Sequence, residues 1–192
     1  MPRTARLVDV NMPHHICQRG NCKQAIFHDD RDKDIYLEML KKSSLKYEMS
    51  ILAYCLMENH VHLVVIPKQD YSLSKVFRNT NGTYSRYFNK KYKKSGHLWS
   101  ERYFSKILDS KYLAIAVRYV ERNPVRAGLV KCIRDWKWSS GKFHLKTAKS
   151  DIVSEDFFKY TEISKKQWKE FVERPEYSSD LEMMRSKQPA PF

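Results

Sequence analysis

The fold of this chain is decided by residues 49–67, which read MSILAYCLMENHVHLVVIP. Met49 to Met57 and His60 to Pro67 are nearly continuous apolar runs of strand length, and only Glu58 and Asn59 separate them. Two short apolar runs joined by two residues are typical of a tight antiparallel hairpin. The sequence therefore predicts an antiparallel sheet around this hairpin.

Strands and helices alternate on either side of the hairpin. The sequence predicts a strand from His14 to Arg19, a helix beginning near Asp29-Asp30, a helix beginning at Ser72, a strand from Tyr103 to Leu108, and a helix from Ser110 to about Asn123. The order strand, helix, strand, strand, helix, strand, helix is that of a ferredoxin-like, split βαβ fold. We expect an α+β protein whose antiparallel sheet carries helices on one face and leaves the other face free for a ligand.

These elements fit one domain with an extension. The 192 residues are too few for two full-sized domains with separate cores. Residues 1–146 contain all of the predicted elements and are interpreted as the domain. From about residue 147 the periodicity weakens, so 147–192 is interpreted as a C-terminal appendage, partly helical or extended.

The chain combines an apolar core with a large excess of positive charge. It has 36 Lys and Arg against 22 Asp and Glu, a formal net charge of +14, and 42% of its residues are hydrophobic. That apolar content excludes a disordered basic tail. Nucleic acid is the commonest polyanionic partner of such a protein, although a merely solvated basic surface would have the same composition.

The sequence favours a cytoplasmic protein without membrane contact. It contains no apolar run long enough to span a bilayer, and its first ten residues lack the apolar stretch of a signal peptide. The four cysteines form neither a CxxC pair nor a dense disulfide pattern, so reduced thiols are expected.

Two histidines stand on one face of the second hairpin strand. Successive side chains of a strand alternate, so His60 and His62 point to one side while Val61 and Leu63 point to the other. Neighbouring imidazoles aimed at one divalent cation supply two ligands without any backbone rearrangement. An ordinary pair of exposed or hydrogen-bonded histidines stays open as an alternative, because His-x-His alone is a short motif.

A tyrosine and an amide share one face of the last predicted helix. Of the twelve tyrosines, only Tyr54 and Tyr119 are followed four residues later by a carboxylate or carboxamide, those of Glu58 and Asn123 respectively. Tyr54 lies in a predicted strand, where this offset gives no contact. Positions i and i+4 of a helix are neighbours, so the phenol of Tyr119 and the amide oxygen of Asn123 could point at one target. From spacing alone, Tyr119 could equally be a core residue of the helix.

Basic residues concentrate in two stretches that we interpret as DNA-binding. Aromatic residues accompany the first stretch, which offers both phosphate neutralisation and base stacking. Alternatively, the aromatic residues belong to the core and the lysines form a solvated face. The basic residues are Arg78, Arg86, Lys90, Lys91, Lys93 and Lys94, interleaved with Tyr84, Tyr87, Phe88 and Tyr92, followed by Arg118, Arg122 and Arg126 around the last helix.

Several motifs in series resemble the HUH single-strand transposases, and within them the REP-associated tyrosine transposases. Such a series is far more specific than one His-x-His pair. The motifs occur in the expected order between about Pro13 and His144. They are Cys17-Gln18-Arg19-Gly20-Asn21, the run from Tyr54 to Val64, Ser95-Gly96-His97-Leu98-Trp99, the run from Arg118 to Val130, and Trp138-Ser139-Ser140.

The resemblance implies a metal-dependent single-stranded DNA transesterase that nicks and joins hairpin-forming repeat DNA through a 5′-phosphotyrosine intermediate. His60 and His62 match the family's metal-binding pair, and Tyr119 matches its single catalytic nucleophile. Asn123 matches the third metal ligand, which is a glutamine, one methylene longer, in insertion-sequence relatives.

The resemblance also implies the cofactor and the partners. The cofactor is a divalent metal ion, Mg²⁺ or Mn²⁺, and the partner is single-stranded or hairpin DNA. The expected location is the nucleoid of a prokaryotic cytoplasm. Both monomers and homodimers occur among such proteins, so a homodimer stays open.

A non-catalytic protein that binds hairpin DNA or RNA is the alternative from another functional class. It would have the same split fold and the same basic surface. The two readings differ in whether Tyr119 reacts, which the sequence does not decide.

Overall fold

The computed structural model describes residues 7–154 and 157–185. Its described part contains a four-stranded sheet in the order β2-β3-β1-β4, with every neighbouring pair antiparallel. This arrangement confirms the predicted hairpin and the predicted α+β fold class. The strands are β1 (His14–Arg19), β2 (Met49–Leu56), β3 (His60–Pro67) and β4 (Phe104–Ile107).

The helices begin and end close to their sequence signals. The long helices α1 and α3 each follow an aspartate, Asp29 or Asp109, whose carboxylate accepts a backbone N–H of the first turn. No helix within the described ranges is both long and apolar enough to cross a bilayer. The helices are α1 (Asp30–Lys46), α2 (Ser72–Tyr92), α3 (Ser110–Glu121), α4 (Asn123–Arg126), α5 (Gly141–His144), α6 (Lys165–Glu173) and α7 (Ser178–Arg185).

Helices cover both faces of the sheet, so the expectation of helices on one face is wrong for α3. One core cluster joins α1 and α2 to the face that carries Leu63 and Val65. A second cluster joins α3 to the opposite face, which carries Val64 and Ile66. Apolar side chains on both faces of β3 need cover from both sides, and the sequence pattern alone did not say which helix supplies it.

A bulge in β2 enlarges the face beneath α3. The register shifts by one residue between Ile51 and Ala53, which leaves Leu52 as the extra residue. Ile51 packs on the side of α1 and α2, whereas Leu52 and Ala53 both pack with α3. The bulge therefore gives α3 a wider apolar bed.

The C-terminal residues pack onto the same side as α3. Four side chains there are buried in the cluster that α3 shares with the sheet: Phe157, Trp168, Val172 and Met184. A capping box at Ser164 begins α6. Residues 1–6 at the start of the chain, and residues 155–156 and 186–192 of the predicted appendage, lie outside the described residues.

A buried carboxylate ties the end of α3 to the edge of the sheet. Glu121 is fully buried and accepts hydrogen bonds from the Ser140 hydroxyl at 2.6 Å and from Nδ1 of His144 at 2.5 Å. The Ser140 hydroxyl in turn accepts the backbone N–H of Tyr54 in β2 at 3.1 Å. The network fixes where α3 ends relative to β2.

We expect Glu121→Ala to lower the free energy of unfolding by about 3–5 kcal/mol, because it leaves two buried polar groups without their acceptor. Urea denaturation of the wild type and the variant measures this loss. Glu170→Ala is the control, since Glu170 forms only an exposed ion pair with Arg174 and its removal should change stability by less than about 1 kcal/mol. Equal losses in the two variants would contradict a structural role for the Glu121 network.

Candidate active site

The two predicted histidines of β3 lie together on the face covered by α3. Their side chains share that face because they are two residues apart in the strand. The ring centres of His60 and His62 lie 5.0 Å apart and the rings are nearly perpendicular, at 89°. Two imidazoles that bind one ion at about 2.1 Å have ring centres roughly 4.5–5.5 Å apart, so the observed separation fits a shared cation.

Helix α3 brings the predicted tyrosine to this pair. Tyr119 is only 7% exposed, and its ring centre lies 5.7 Å from that of His62 in an edge-to-face arrangement. Histidine and tyrosine come from elements almost sixty residues apart in sequence. The structure therefore brings Tyr119 to the histidine pair, which the sequence could place only on a different element.

Asn123 lies one helical turn beyond Tyr119. Helix α3 ends at Glu121 and α4 begins at Asn123, and the intervening Arg122 has right-handed helical dihedrals (φ −83°, ψ −2°). Pro124 occupies the first turn of α4, where its missing N–H is not needed. The Asn123 side chain is largely buried, and its amide nitrogen has no hydrogen-bond partner in the described part of the chain.

The donor set of this site is neutral and mixed. Residues 7–154 and 157–185 contain no group of three or more His, Cys, Asp or Glu side chains that could hold a metal ion. A cation site here would therefore combine the imidazoles of His60 and His62 with an amide oxygen. Two nitrogens and one oxygen without negative charge suit a divalent ion that completes its shell with substrate oxygens.

The structure adds His15, which sequence reasoning missed. His15 in β1 is fully buried, and its ring lies nearly parallel to that of His62, with centres 5.2 Å apart and an interplanar angle of 8°. Its Nε2 atom lies 3.0 Å from Nδ1 of His62. Alternation along β1, with Ile16 on the opposite face, was a usable signal, but the pairing of β1 with β3 was needed to place His15 beside His62.

The buried rings are held neutral. Burial, with a smaller contribution from Lys106, lowers the pKa of His15 to about 3. Burial and the nearby Arg19 and Arg126 lower the pKa of His60 to about 4. The pKa of His62 also falls well below its ordinary value, chiefly through burial. At neutral pH, ring lone pairs are therefore available for hydrogen bonding or metal binding.

The lowered pKa of His15 makes the stability of the fold depend on pH. The unfolded chain binds a proton at His15 below about pH 6.5, whereas the folded chain does not until about pH 3. Stability is therefore lost as the pH falls below 6.5, by about 1.4 kcal/mol per pH unit for this one residue. When the pH is lowered from 7.5 to 5.0, the free energy of unfolding measured with urea should fall by about 2 kcal/mol less in His15→Gln than in the wild type.

The exposed His97 supplies the control for this measurement. His97→Gln is the matched control for replacing a histidine by glutamine, because His97 lies in the loop after α2 and its side chain is exposed. Wild type and His15→Gln losing equal stability would contradict the lowered pKa of His15.

An arginine and a glutamate hold Tyr119 from the other side. The Arg126 guanidinium lies 4.1 Å from the centre of the Tyr119 ring and donates to the Tyr119 carbonyl at 3.0 Å. It also donates to the Glu176 carboxylate at 2.7 Å. The segment between α6 and α7 therefore supports the tyrosine through one guanidinium.

The three arginines predicted to bind DNA around α3 are bonded to the chain's own C-terminal segment. Arg118 is only 2% exposed and donates to the carbonyls of Arg174 and Pro175. Arg122 and Arg126 both pair with Glu176. These bonds were not predictable from the sequence, because their partners lie some fifty residues downstream. Arg118 in particular presents no surface to DNA in this structure.

Among the basic residues in and just after α2, Lys91 forms ion pairs within the protein, whereas others extend into solvent. Lys91 pairs with Asp29 and Asp32 at 2.7 Å each. Burial alone would raise the pKa of Asp32, but hydrogen bonds led by that from Lys91 lower it to about 2. Lys91 therefore stabilises the contact between α1 and α2. Arg78, Arg86 and Lys90 are exposed on α2, and Lys93 and Lys94 are exposed just after its end.

The aromatic residues of α2 pack in or beside the core, as the second of the two interpretations of this stretch expected. Tyr84 and Phe88 are fully buried, and the hydroxyls of Tyr87 and Tyr92 donate to the Asp32 carboxylate. They are therefore not a stacking platform for bases. The exposed basic surface instead includes a groove of about 450 Å³ lined by Tyr47, Lys75, Arg78, Asn79, Thr83 and Arg86.

Known proteins match this chain over the whole sheet and the site. Residues 9–123 match the family described as "Transposase IS200 like". A Haemophilus influenzae protein described as a candidate REP-associated tyrosine transposase is 33% identical over 129 residues, which are 61% of this chain and 71% of that protein. The solved structure of a REP-associated tyrosine transposase bound to a REP hairpin covers 81% of this chain and 98% of its own, with a TM-score of 0.62 and 16% identity, which shows a shared fold.

Proposed function

Because the chain belongs to the IS200-like transposase family, and within it to the REP-associated tyrosine transposases, we propose that it cleaves and rejoins single-stranded DNA beside a hairpin, with Tyr119 as nucleophile. The observation that carries the proposal is the Tyr119 ring packed 5.7 Å from the ring of His62, next to the His60–His62 pair. A nucleophile beside two neutral imidazoles is the arrangement that this chemistry needs.

The reaction is a transesterification at phosphorus. The phenolic oxygen of Tyr119 forms a bond to phosphorus, and the bond from phosphorus to the 3′ oxygen breaks. The products are a 5′-phosphotyrosine and a free 3′ hydroxyl, which receives a proton to balance the one lost by the phenol. One phosphodiester replaces another, so the reverse step can join strands without ATP.

His60, His62 and Asn123 would hold a divalent cation, Mg²⁺ or Mn²⁺, which polarises a non-bridging phosphate oxygen when bound. The three side chains are neutral and leave the full charge of the ion for the phosphate. The protein's own contribution is orientation. Arg126 stacks on the Tyr119 ring and bonds its carbonyl, so the phenol enters the reaction from a fixed position.

The DNA is proposed to lie along the exposed basic residues of α2. Arg78 and Arg86 line one groove with Lys75, and guanidinium groups bind phosphates with two parallel hydrogen bonds. Because the aromatic residues of α2 are not available for base stacking, contacts with phosphates are the main interaction proposed between this surface and DNA. Such contacts favour recognition of a hairpin by its shape and backbone.

Formation of a covalent adduct tests the function. A single strand that contains a hairpin with randomised flanks is labelled at its 3′ end, because the 5′-phosphotyrosine retains the downstream fragment. With Mn²⁺ we expect a labelled protein band on a denaturing gel, and EDTA should prevent it. Hairpin binding without any adduct would instead identify a non-catalytic hairpin-binding protein.

Salt dependence tests the DNA surface. Arg78→Ala and Arg86→Ala should each weaken hairpin binding and reduce the slope of log K against log salt by about 1, because each removes a phosphate contact. Fluorescence anisotropy of a labelled hairpin across a salt series measures the slope. Lys169→Ala on the exposed face of α6 is the control, and an unchanged slope in the Arg78/Arg86 double variant would exclude this groove.

A further inference from the structure

The proton on His60 is placed by the residue before it. The side-chain oxygen of Asn59 lies 2.6 Å from Nδ1 of His60. The amide nitrogen of Asn59 donates to the carbonyl of Lys23 at 3.3 Å, which turns the amide oxygen toward the ring. An amide oxygen only accepts, so Nδ1 of His60 must carry the proton, and Nε2 keeps its lone pair.

His62 has a corresponding partner behind it. Its Nδ1 atom is 3.0 Å from Nε2 of His15, so Nδ1 is engaged and Nε2 is the ring nitrogen left for a ligand. One proton lies between the two rings. If His62 holds it, His15 accepts the hydrogen bond and Nε2 of His62 has a free lone pair. His15 then carries its own proton on Nδ1, an atom without a hydrogen-bond partner among the described residues.

Both acceptors are held in place by the fold. The backbone carbonyl of Asn59 accepts the N–H of Gly20 at 2.9 Å. A Cβ at Gly20 would lie 2.3 Å from the carbonyl oxygen of Gln24 and 2.8 Å from Cγ2 of Ile26, so only glycine permits the close packing of residues 24–26 against the end of β1. His15 is fully buried, with the rings of Phe104 and Tyr119 packed against it.

We propose that Asn59 and His15 are positioning residues that accept the Nδ1–H of His60 and His62 and thereby direct both Nε2 lone pairs at one divalent cation. The identity of the target as a cation rests on the proposed function. The proton positions are a property of the metal-free protein. A histidine ligand whose second nitrogen donates to a fixed acceptor is both more basic and better oriented, and removal of the acceptor typically weakens metal binding by about 10–100-fold.

Two measurements test the proposal. The first is the ¹⁵N spectrum of histidine-labelled, metal-free protein, in which His60 and His62 should both carry their proton on Nδ1. The second is Mn²⁺ affinity, measured by electron paramagnetic resonance with hairpin DNA present and in a Tyr119→Phe background that prevents turnover. Tyr119→Phe keeps the aromatic ring against His15 and His62.

The variants distinguish loss of the hydrogen-bond acceptor from loss of side-chain packing. Asn59→Leu keeps the size of the side chain and His15→Phe keeps a planar ring, but both lose the acceptor, so each should bind Mn²⁺ about 10–100-fold more weakly. Asn59→Asp keeps an acceptor oxygen and should bind at least as tightly as the wild type. Asn89→Leu is the control, because the Asn89 side chain lies near the end of α2 and donates to the Gly96 carbonyl, and its Mn²⁺ affinity should be unchanged.

Each contrary result identifies which statement fails. A proton on Nε2 of His60 or His62 in the metal-free wild type would overturn the inference, even if a variant failed to fold. So would wild-type Mn²⁺ affinity in both Asn59→Leu and His15→Phe, while the proposed function would stand. Absence of Mn²⁺ binding by the Tyr119→Phe protein with intact His60 and His62 would overturn the cation site and the inference together.

Discussion

Replacement of Tyr119 by phenylalanine should abolish the covalent protein–DNA adduct, with a loss in rate of about a thousandfold or more, because the attacking oxygen is removed. Hairpin affinity and thermal stability should stay close to those of the wild type. The variant keeps the aromatic ring that packs against His62 and beneath the Arg126 guanidinium. The adduct assay, anisotropy and a thermal melt performed on one preparation separate chemistry from folding.

A second tyrosine of the same helix supplies the matched control. Tyr112 is 37% exposed and lies near the start of α3, seven residues before Tyr119. Tyr112→Phe should form the adduct at the wild-type rate. An adduct that persists in Tyr119→Phe, or that disappears in Tyr112→Phe instead, would assign the nucleophile to another residue.

Replacement of His60 by alanine should remove Mn²⁺-dependent cleavage, lowering its rate by about 100-fold or more, since a direct ligand contributes at least as much as the acceptor behind it. His60 is the suitable choice because it is half-buried, whereas His62 is enclosed and its loss would leave a cavity. Cleavage is measured across a Mn²⁺ titration, and hairpin binding should survive because His60 lies away from α2.

His97→Ala tests whether any histidine would have the same effect. His97 lies in the exposed loop after α2 and is expected to leave the Mn²⁺ titration unchanged. Full cleavage by His60→Ala would show that the strand histidines are structural, and would exclude His60 and His62 as the cation site that cleavage requires.

The sequence alone predicted the local elements and the individual site side chains. The β2–β3 hairpin was predictable because two residues between apolar runs leave the chain no other short-range solution. The side shared by His60 and His62 follows from strand alternation, and the helical spacing of Tyr119 and Asn123 follows from the period of a helix. Each of these inferences needs only neighbours within a few residues.

Tertiary structure alone decided which of these elements meet. Helix α3 lies on the histidine face because Val64 and Ile66 need apolar cover there, and β1 brings His15 behind His62 through its register with β3. Glu176 captures Arg122 and Arg126 from some fifty residues away, which turns a predicted DNA surface into an internal contact. Such partners depend on long-range packing and charge pairing, and spacing along the chain carries no information about either.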